Sequence, residues 1–441
     1  MKKERIKSII LIMLIITNLV LAEKILVNEK LWLSGYNFFV STRNKRKKNI
    51  VSVTESLSLP EKIVVNTGYQ SSRFIYTRAD ENFVPINNAA AEVIKAAFGD
   101  YKSALEITAE DWYAALTSKS VYLSYSASFS PSLYSSFLGI SEPELPILEF
   151  SDIVIAENGT VYLGGDNEFC KVPVSSSLIS PIIQTALSEH SDEESVINYS
   201  FDLNFDQNSG AESTVLSPMI LIYSEPVTAP YITPQNLAVK DGNINEKAFS
   251  DALPIFGVNQ NSARSYTEAD GTLVYVENNG ILKITPNGIL TFTARGNGIR
   301  LSSGFIPSKI ASFIDTVNSK MGIDADICLS FARMADDTAH FEFNYMVEGY
   351  PVKYKDISAI SATVANGYLT EYSQVLRNFG ITDEISVSPD FINALDDVIS
   401  AYHGSMQEMR ITKMYPAFCD DLKAPKVGID WNIDVDNVLA E

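Results

Sequence analysis

Cysteine and histidine are both scarce in this sequence, with three residues of each among 441. Cys170, Cys328 and Cys419 are far apart, and no two of them form a CxxC motif. An odd number of distant cysteines argues against a disulfide framework and against a structural zinc site. We therefore expect three buried thiols, since unpaired cysteines usually behave as small apolar side chains. Their number does not assign a cellular compartment.

The sequence also lacks the short motifs of the common hydrolases and nucleotide-binding enzymes. None of His190, His340 and His403 begins an HExxH zinc motif. No GxSxG elbow occurs, and no lysine lies three residues after a serine, which argues against α/β-hydrolase and penicillin-binding chemistry. Possible calcium loops starting at Asp202 and Asp241 lack the required glycine and closing glutamate.

These missing motifs predict a protein with no catalytic residue, no cofactor and no metal. An extracytoplasmic cell-wall hydrolase stays open as a third alternative, because acidic residues are numerous and two of them could face each other in a cleft. No spacing in the sequence singles out such a pair.

Positive charge is in short supply outside the first 50 residues. Those residues carry 11 Lys and Arg against 3 Asp and Glu, a net of +8, so the rest of the chain has a net charge of −28. A body this acidic is a poor match for nucleic acid, since phosphate contacts need a basic face. The basic N-terminus is typical of a membrane-targeting segment.

One long apolar run is present, from Ile9 to Ala22, and Lys2, Lys3, Arg5 and Lys7 precede it. Its length is at the short end of what a membrane-spanning helix needs. The run predicts a cytoplasmic tail at 1–8, a transmembrane anchor at 9–22, a juxtamembrane linker at 23–55 and an extracytoplasmic body, with membrane lipid as a partner. The apolar anchor residues are Ile9, Ile10, Leu11, Ile12, Leu14, Ile15, Ile16, Leu19, Val20 and Leu21.

Two features of this segment leave alternatives open. Val20-Leu21-Ala22 is also typical of a signal-peptidase site, and cleavage after Ala22 would release the body. Thr17 and Asn18 are the polar residues of the run. They are candidates for helix–helix contacts in the bilayer, with plain accommodation in lipid as the alternative.

Local patterns in the first part of the body, 56–230, mix helix and strand signals. Asn88 is predicted to cap a helix over Ala89–Phe98, and Thr108 with Asp111 to open another. Ser180-Pro181 predicts a helix start. Strict alternation over Tyr199–Asp206 predicts a strand. Pro226, Pro230 and Pro234 then indicate a linker to the next domain.

The rest of the body divides into a central β domain at 231–300 and a C-terminal α+β domain at 301–441. Asn-Gly turns at Asn279 and Asn287 predict a three-stranded antiparallel meander. Apolar residues from Ile310 to Met321 follow helical spacing, with Gly322 after the end. Asn366-Gly367 predicts a further hairpin. The predicted fold class is α+β, with antiparallel sheets and helices packed on one face.

Three groups of short motifs, taken in order, resemble a known family. Each is unspecific alone, and the inference depends on their order behind an N-terminal anchor. The groups are Pro60–Val65, Trp112–Leu116 and Lys119–Leu123; then Ser265–Glu268, Gly271–Leu273 and Gly280–Leu282; then Glu348–Val352, Ile360, Val364, Asn366-Gly367, Glu371-Tyr372, Met414–Phe418 and Trp431.

This pattern resembles the YycH family, and the C-terminal unit also resembles YycI. The resemblance implies a membrane protein that works with a YycI-like protein and regulates the sensor histidine kinase YycG (WalK), which controls cell-wall metabolism. The partners implied are therefore that kinase and a YycI-like protein, with no enzymatic activity. The alternative function is an extracytoplasmic binding module for a cell-wall, lipid or peptide ligand.

Overall fold

The structure is a computed structural model that describes residues 53–68, 73–166, 168–187, 197–203, 216–259, 262–301, 304–335, 337–401 and 409–437. All of them belong to one compact unit, Val51–Glu441. The predicted tail, the anchor residues from Ile9 to Leu21 and the candidate contact residues Thr17 and Asn18 lie outside the described residues.

The first part of the unit is built on a seven-stranded antiparallel sheet in the order β2-β1-β4-β5-β6-β7-β3. Both faces of this sheet carry apolar side chains. In β1, for example, the consecutive residues Ile63, Val64 and Val65 are all buried. The strands are β1 Lys62–Thr67, β2 Arg73–Thr77, β3 Leu105–Glu106, β4 Lys119–Phe129, β5 Phe150–Ala156, β6 Thr160–Gly164 and β7 Phe169–Pro173.

Helices cover both faces of this sheet, whereas the sequence predicted helices on one face only. The face with Ile63 and Val121 packs into the main core, and the opposite face with Val64 and Tyr122 packs against Trp112. A sheet with apolar side chains on both faces needs other elements packed against each face, and helices on one face alone would leave the other exposed to water. The helices are α1 Val53–Ser56, α2 Phe83–Gly99, α3 Ala109–Thr117, α4 Pro131–Leu138 and α5 Ser176–Leu187, with a 3₁₀ turn at Tyr101–Ser103.

Helix starts were predicted with mixed success. The Thr108 hydroxyl accepts a hydrogen bond from Asp111 N, so the predicted cap of α3 is confirmed. The start of α2 at Asn88 was wrong, because the helix begins at Phe83 and Asn87 is buried within it. The start of α5 at Ser180 was also wrong. That helix begins at Ser176, and Pro181 lies inside it.

Beyond α5, two predictions that relied on local pattern fail. The alternating run from Tyr199 is not one strand: β8 Ile197–Tyr199 ends there and a 3₁₀ turn, Ser200–Leu203, follows. The Asp202 carboxylate accepts from Tyr199 N and lies 2.7 Å from Arg73, which fixes the turn. The rest of the predicted strand, 204–206, lies outside the described residues. The partner of β8 is β9 Leu221–Tyr223.

The predicted proline linker is a strand. β10 Thr228–Asn236 contains Pro230 and Pro234 and pairs antiparallel with β23 Arg377–Val387, with an irregularity between Pro230 and Ile232. Proline has no N–H to donate, so it is tolerated at such irregular and edge positions. Beyond β10 lie the short pair β11 Val239–Lys240 and β12 Asn243–Ile244, helix α6 Glu246–Phe249 and a 3₁₀ turn, Leu253–Phe256.

A second, twelve-stranded sheet forms the rest of the unit, with a main path β13-β14-β15-β16-β22-β21-β19-β20-β24-β25. β17 pairs with β22, β18 pairs with β19, and β20 and β24 are parallel. The strands are β13 Arg264–Thr267, β14 Leu273–Val276, β15 Gly280–Ile284, β16 Ile289–Ala294, β17 Ile299–Arg300, β18 Asp326–Ala335, β19 Thr338–Val347, β20 Tyr350–Tyr354, β21 Ile360–Ala365, β22 Tyr368–Val375, β24 Met409–Asp420 and β25 Ile429–Asn437.

The meander β14-β15-β16 is confirmed, and so is the hairpin β21-β22. Asn366 and Gly367 both have positive φ, 53° and 77°, as a two-residue hairpin of this kind requires. The meander continues through β16 into β22. Strands from 231–300 and 301–441 thus share one sheet, while the division of the body into three domains stays a prediction.

The amphipathic helix α7 Ile306–Met321 is confirmed, and it ends at Gly322 with a φ of 67°. The predicted apolar stripe is buried, and the Phe313 ring packs edge-on against Phe256 and Tyr372. A last helix, α8 Phe391–Ala401, follows β23 in the chain. The described part of the unit is therefore an α+β fold with antiparallel sheets.

Candidate functional site: a cleft between the two sheets

A cleft of about 930 Å³ lies between the seven-stranded sheet and the twelve-stranded sheet. One wall comes from β1, β4, β5 and β6, and the other from β19, β20, β24 and β25. Side chains from both sheets therefore face a shared space, although strands of one sheet do not pair with strands of the other.

Lysines from three strands line this cleft, and two of them lie over one aromatic ring. Lys62 Nζ of β1 lies 5.9 Å from the centroid of the Tyr415 ring, and Lys353 Nζ of β20 lies 5.6 Å from it. Lys413 lines the same cleft from β24. An ammonium group at this distance is attracted by the negative face of the ring. Tyr415 is thus a platform for two of the three cations.

Glu61 is the carboxylate at the centre of these lysines. Its side chain is only 14% exposed, lies 3.9 Å from Lys62 and accepts a hydrogen bond from Ser126 Oγ. Burial alone would raise the pKa of Glu61. Lys62, the Ser126 hydrogen bond, Lys353 and Lys413 together outweigh burial, so the pKa of Glu61 is lowered below its ordinary value. Glu61 is therefore ionised at neutral pH.

Asp152 of β5 is a second shielded carboxylate in the cleft. Tyr122 Oη and Ser151 Oγ both donate hydrogen bonds to it. Burial raises the pKa of Asp152 above its ordinary value, although these two bonds and the charges of Lys62 and Lys413 act in the opposite direction. Both of its oxygens are already occupied by donors from its own sheet.

Arg410 adds a fourth cation from β24. The pairing of β24 with β25 is irregular between Ile411 and Lys413, and such a bulge changes the direction in which side chains point. Both Arg410 and Lys413 line the cleft. The Arg410 Nε atom is shielded from solvent and has no hydrogen-bond partner. A guanidinium N–H in that state can donate a hydrogen bond to a further acceptor.

An aromatic end completes the cleft near α3. The Trp112 ring stacks on Phe169 at 5.3 Å between centroids, and its Nε1 lies 3.3 Å from Met219 Sδ. Tyr113 stacks on Phe201 at 4.7 Å. The cleft thus offers cations and an aromatic platform at one place and an apolar lining at another.

Of the three histidines considered from sequence, the structure describes His340. His340 has both ring nitrogens engaged, at 3.0 Å from Thr363 Oγ1 and 3.0 Å from Glu342. His190 and His403 lie outside the described residues. Among the residues described, no group of three His, Cys, Asp or Glu is placed to hold a metal ion.

The cysteines agree only in part with the expected buried thiols. Cys170 and Cys328 are buried, and burial raises the pKa of the Cys170 thiol to about 12. Cys419 is exposed, so that prediction was wrong for one of the three. Alternation along β24 explains the error, because Phe418 and Asp420 point inward on either side of it.

A solved structure resembles this fold along nearly its whole length. The crystal structure of YycH from Bacillus subtilis matches with a TM-score of 0.57 and 12% sequence identity, over 89% of this chain and 98% of that chain. The chain has a YycH-like fold. No family model matches the sequence, and no curated protein matches it. The resemblance to YycH is therefore confirmed in the fold, which at this identity is what such a likeness establishes.

Some of the motifs that resembled YycH contribute residues to the cleft or lie directly beside it. Glu61-Lys62 belongs to the first motif, and Lys353 directly follows the Glu348–Val352 motif. The latter motif and Met414–Phe418 lie on the paired parallel strands β20 and β24, where Val352 is opposite Phe418. Sequence reasoning used these runs only for the resemblance to a family and missed the lysines. The signal available was that a lysine lies within or beside each of the three runs.

The predicted membrane helix has no test in this structure. Within the described ranges, no helix is long and apolar enough to cross a membrane. The predicted anchor lies outside those ranges, so it stays a prediction.

The Glu61 environment predicts a specific pH dependence of stability. Because its pKa is lowered on folding, ionised Glu61 contributes stability above its unfolded pKa of about 4.5, and this is lost as the pH falls through the lowered folded value. Replacing Lys353 and Lys413 by glutamine should raise the pKa of Glu61 in the folded state, because two of the charges that lower it are removed. We expect the variant to lose stability relative to wild type at neutral pH, with the difference shrinking towards acid.

Urea unfolding between about pH 3 and pH 7 measures this difference. The matched control replaces the exposed lysines Lys240 and Lys247, which are outside the cleft, and should shift stability equally at all pH values. The Lys353 and Lys413 replacements are then repeated in a Glu61→Gln background. There the stability difference that they cause should depend less on pH, because residue 61 no longer titrates. If the stability difference keeps its full pH dependence in that background, the dependence comes from other carboxylates and not from Glu61.

Proposed function

We propose that this protein is a membrane-anchored extracytoplasmic regulator of a two-component sensor histidine kinase of the YycG (WalK) kind, which controls cell-wall metabolism. The observation that carries the proposal is the YycH-like fold, which extends over 98% of the YycH chain. A fold alone does not carry a function. The apolar run Ile9–Ala22 behind a basic tail supports the proposal independently, because it is what a tethered regulator needs.

Regulation in this proposal occurs by protein contacts, with a YycI-like protein as a second partner. The N-terminus is cytoplasmic, a single helix spans the membrane and Val51–Glu441 lies outside. In lipid, helices associate through close packing and polar side chains. Thr17 and Asn18 are the residues proposed to contact a partner helix, since polar groups inside the membrane usually find partners.

The test is cross-linking and recovery of full-length protein from membranes. The native chain is compared with one in which Ile9–Ala22 is replaced by an unrelated transmembrane helix, and with a Thr17→Leu/Asn18→Leu variant. We expect the native chain to recover a sensor kinase, the replaced anchor to lose most of it and the double variant to lose part. Recovery of no kinase by any version, or a mature chain that begins at Glu23, would contradict the proposal.

A ligand-binding module is the second candidate function, and the cleft between the sheets is the observation that favours it. Pockets with convergent polar groups and an apolar lining are the usual form of ligand sites. The two functions are compatible, since a regulator can also carry a ligand site. They are tested separately, by kinase recovery and by binding to the extracytoplasmic part.

A further inference from the structure

The strand β13 Arg264–Thr267 lies at one edge of the twelve-stranded sheet, and its outer side is uncovered. Among the described residues, β13 pairs with β14 alone. All four of its residues are exposed, and Tyr266 is 52% exposed. An exposed strand edge presents unpaired backbone N–H and C=O groups, so it is a template on which a further strand can pair.

The pairing with β14 decides which backbone groups of β13 point to the open edge. The two strands are antiparallel, and at the end of their ladder Glu268 N donates to the Thr272 carbonyl oxygen at 2.8 Å. In an antiparallel pair, residues that bond to the neighbouring strand alternate with residues that do not. Every second residue back from Glu268 therefore bonds to β14. The N–H and C=O groups of Ser265 and Thr267 point to the open edge instead.

The side chains on one face of this edge carry opposite charges at its two ends. Arg264, Tyr266 and Glu268 share a face, because side chains alternate along a strand. No carboxylate among the described residues lies within 4.0 Å of the Arg264 guanidinium. Glu268 Oε1 lies 2.9 Å from Lys283 Nζ, and the Glu268 side chain is 35% exposed. A further cation can therefore reach this carboxylate from solvent.

Neighbouring charges do not cancel this pattern. Glu277 follows the residue that lies opposite Arg264, so alternation places it on the other face of the sheet. At the opposite end of β13, the charges of Glu268 and Asp270 both act on Lys283. Two carboxylates thus share one lysine there. That end of the strand has an excess negative charge, while the other end presents Arg264.

We propose that β13 pairs antiparallel with β13 of a second copy of this chain, about a twofold axis at Tyr266. In this register Ser265 of each copy lies opposite Thr267 of the other, and their outward N–H and C=O groups bond to each other. Arg264 of each copy lies opposite Glu268 of the other, so the strand is complementary to itself in charge. A twofold contact uses the same surface on both copies, which this edge allows.

The same residues disfavour the neighbouring registers. A shift by one residue would set outward-pointing groups against residues that already bond to β14, so the new hydrogen bonds would be lost. An axis at Ser265 or Thr267 would place Arg264 or Glu268 opposite Tyr266 and lose both ion pairs. The contact is short, and interfaces below about 1,000 Å² are usually weak. We therefore expect a weak dimer, which covalent trapping detects.

The experiment is disulfide trapping of the full-length protein in non-ionic detergent. Cys419 is first replaced by serine, because it is the exposed native cysteine. Tyr266→Cys then places two thiols at the axis, in a pair without mutual backbone hydrogen bonds, where side chains are closest. Ser265→Cys is the matched control, since it is on the same edge but faces Thr267 of the other copy. After mild oxidation we expect mostly dimer from Tyr266→Cys and little from Ser265→Cys.

Charge exchange in the Tyr266→Cys background tests the ion pairs. Arg264→Glu alone and Glu268→Arg alone each set like charges opposite one another, and each should reduce trapping about tenfold. An equimolar mixture of these two variants, carrying different affinity tags, should regain trapping as mixed dimers. Every acidic side chain then faces a basic one, and misfolded variants would not recover on mixing.

Two results would overturn the proposal. One is trapping of Ser265→Cys as efficient as that of Tyr266→Cys, which would mean random collision or another register. The other is a mixture of the charge variants that is trapped no better than either variant alone. The dimer does not depend on kinase regulation, and kinase recovery is a separate readout, so either proposal can fail alone.

Discussion

Replacing Asp420 by alanine should lower the free energy of unfolding by about 3–5 kcal/mol, because it leaves the guanidinium of Arg377 buried without its counter-charge. Both residues are only 2% exposed, and Arg377 Nε lies 3.9 Å from Asp420 Oδ2. Burial lowers the pKa of Arg377 and raises the pKa of Asp420, which reflects the loss of water around both.

Other hydrogen bonds of Arg377 keep its guanidinium in the interior when Asp420 is replaced. Arg377 Nη2 donates to the carbonyl oxygens of Asn287, at 2.9 Å, and Leu422, at 3.0 Å. Those two bonds hold the guanidinium in the interior, while its Nε and Nη1 atoms have no hydrogen-bond partner. A buried donor without a partner is costly, and Asp420 is first among the charges that favour the ionised guanidinium.

Urea unfolding at neutral pH measures the effect, with two controls. Asp420→Asn removes the charge but can keep the bond that Oδ1 accepts from Leu422 N at 2.8 Å, so it separates charge from hydrogen bonding. Arg377→Met/Asp420→Leu replaces both partners and should cost less than Asp420→Ala alone, because neither charge remains buried. A loss below about 1 kcal/mol for Asp420→Ala would show that Arg377 reaches water without its partner.

Replacing Trp112 by alanine should cost about 3–5 kcal/mol as well, for a different reason. Its side chain is 1% exposed and joins α3 to the seven-stranded sheet. A side chain built at Gly164 would meet the Trp112 ring at 2.8 Å, so the ring occupies the space directly above Gly164. Removing it leaves a cavity at the aromatic end of the cleft.

The close approach to Gly164 supplies the matched test. Gly164→Ala alone should destabilise by about 1–3 kcal/mol through overpacking. Combined with Trp112→Ala, it should cost much less than the sum, because the cavity accepts the added methyl group. Leu148→Ala, at a side chain that is 77% exposed, is the surface control and should change stability by at most about 0.5 kcal/mol. Additive costs for the Trp112 and Gly164 changes would contradict the contact.

Local structure could be predicted wherever one short pattern fixes one backbone geometry. The hairpin at Asn366-Gly367 needs two residues with positive φ, and the cap at Thr108 needs one hydroxyl and one N–H three residues later. The errors occur where a distant partner outweighs the local signal. The run that begins at Tyr199 turns because Asp202 pairs with Arg73 of β2. The segment with Pro230 and Pro234 is a strand despite its prolines, because it pairs with β23.

The sequence by itself determined the acidic body, the basic and apolar N-terminus, the amphipathic helix α7 and the Asn-Gly hairpins, because composition and short periodic patterns depend on neighbours in the chain. The YycH-like fold was anticipated from the order of motifs. Only the tertiary structure placed Lys62 and Lys353 beside the Tyr415 ring, and buried Arg377 with Asp420. Those groups come from strands far apart in sequence, and the pairing of strands across a sheet has no local signature that would bring them together.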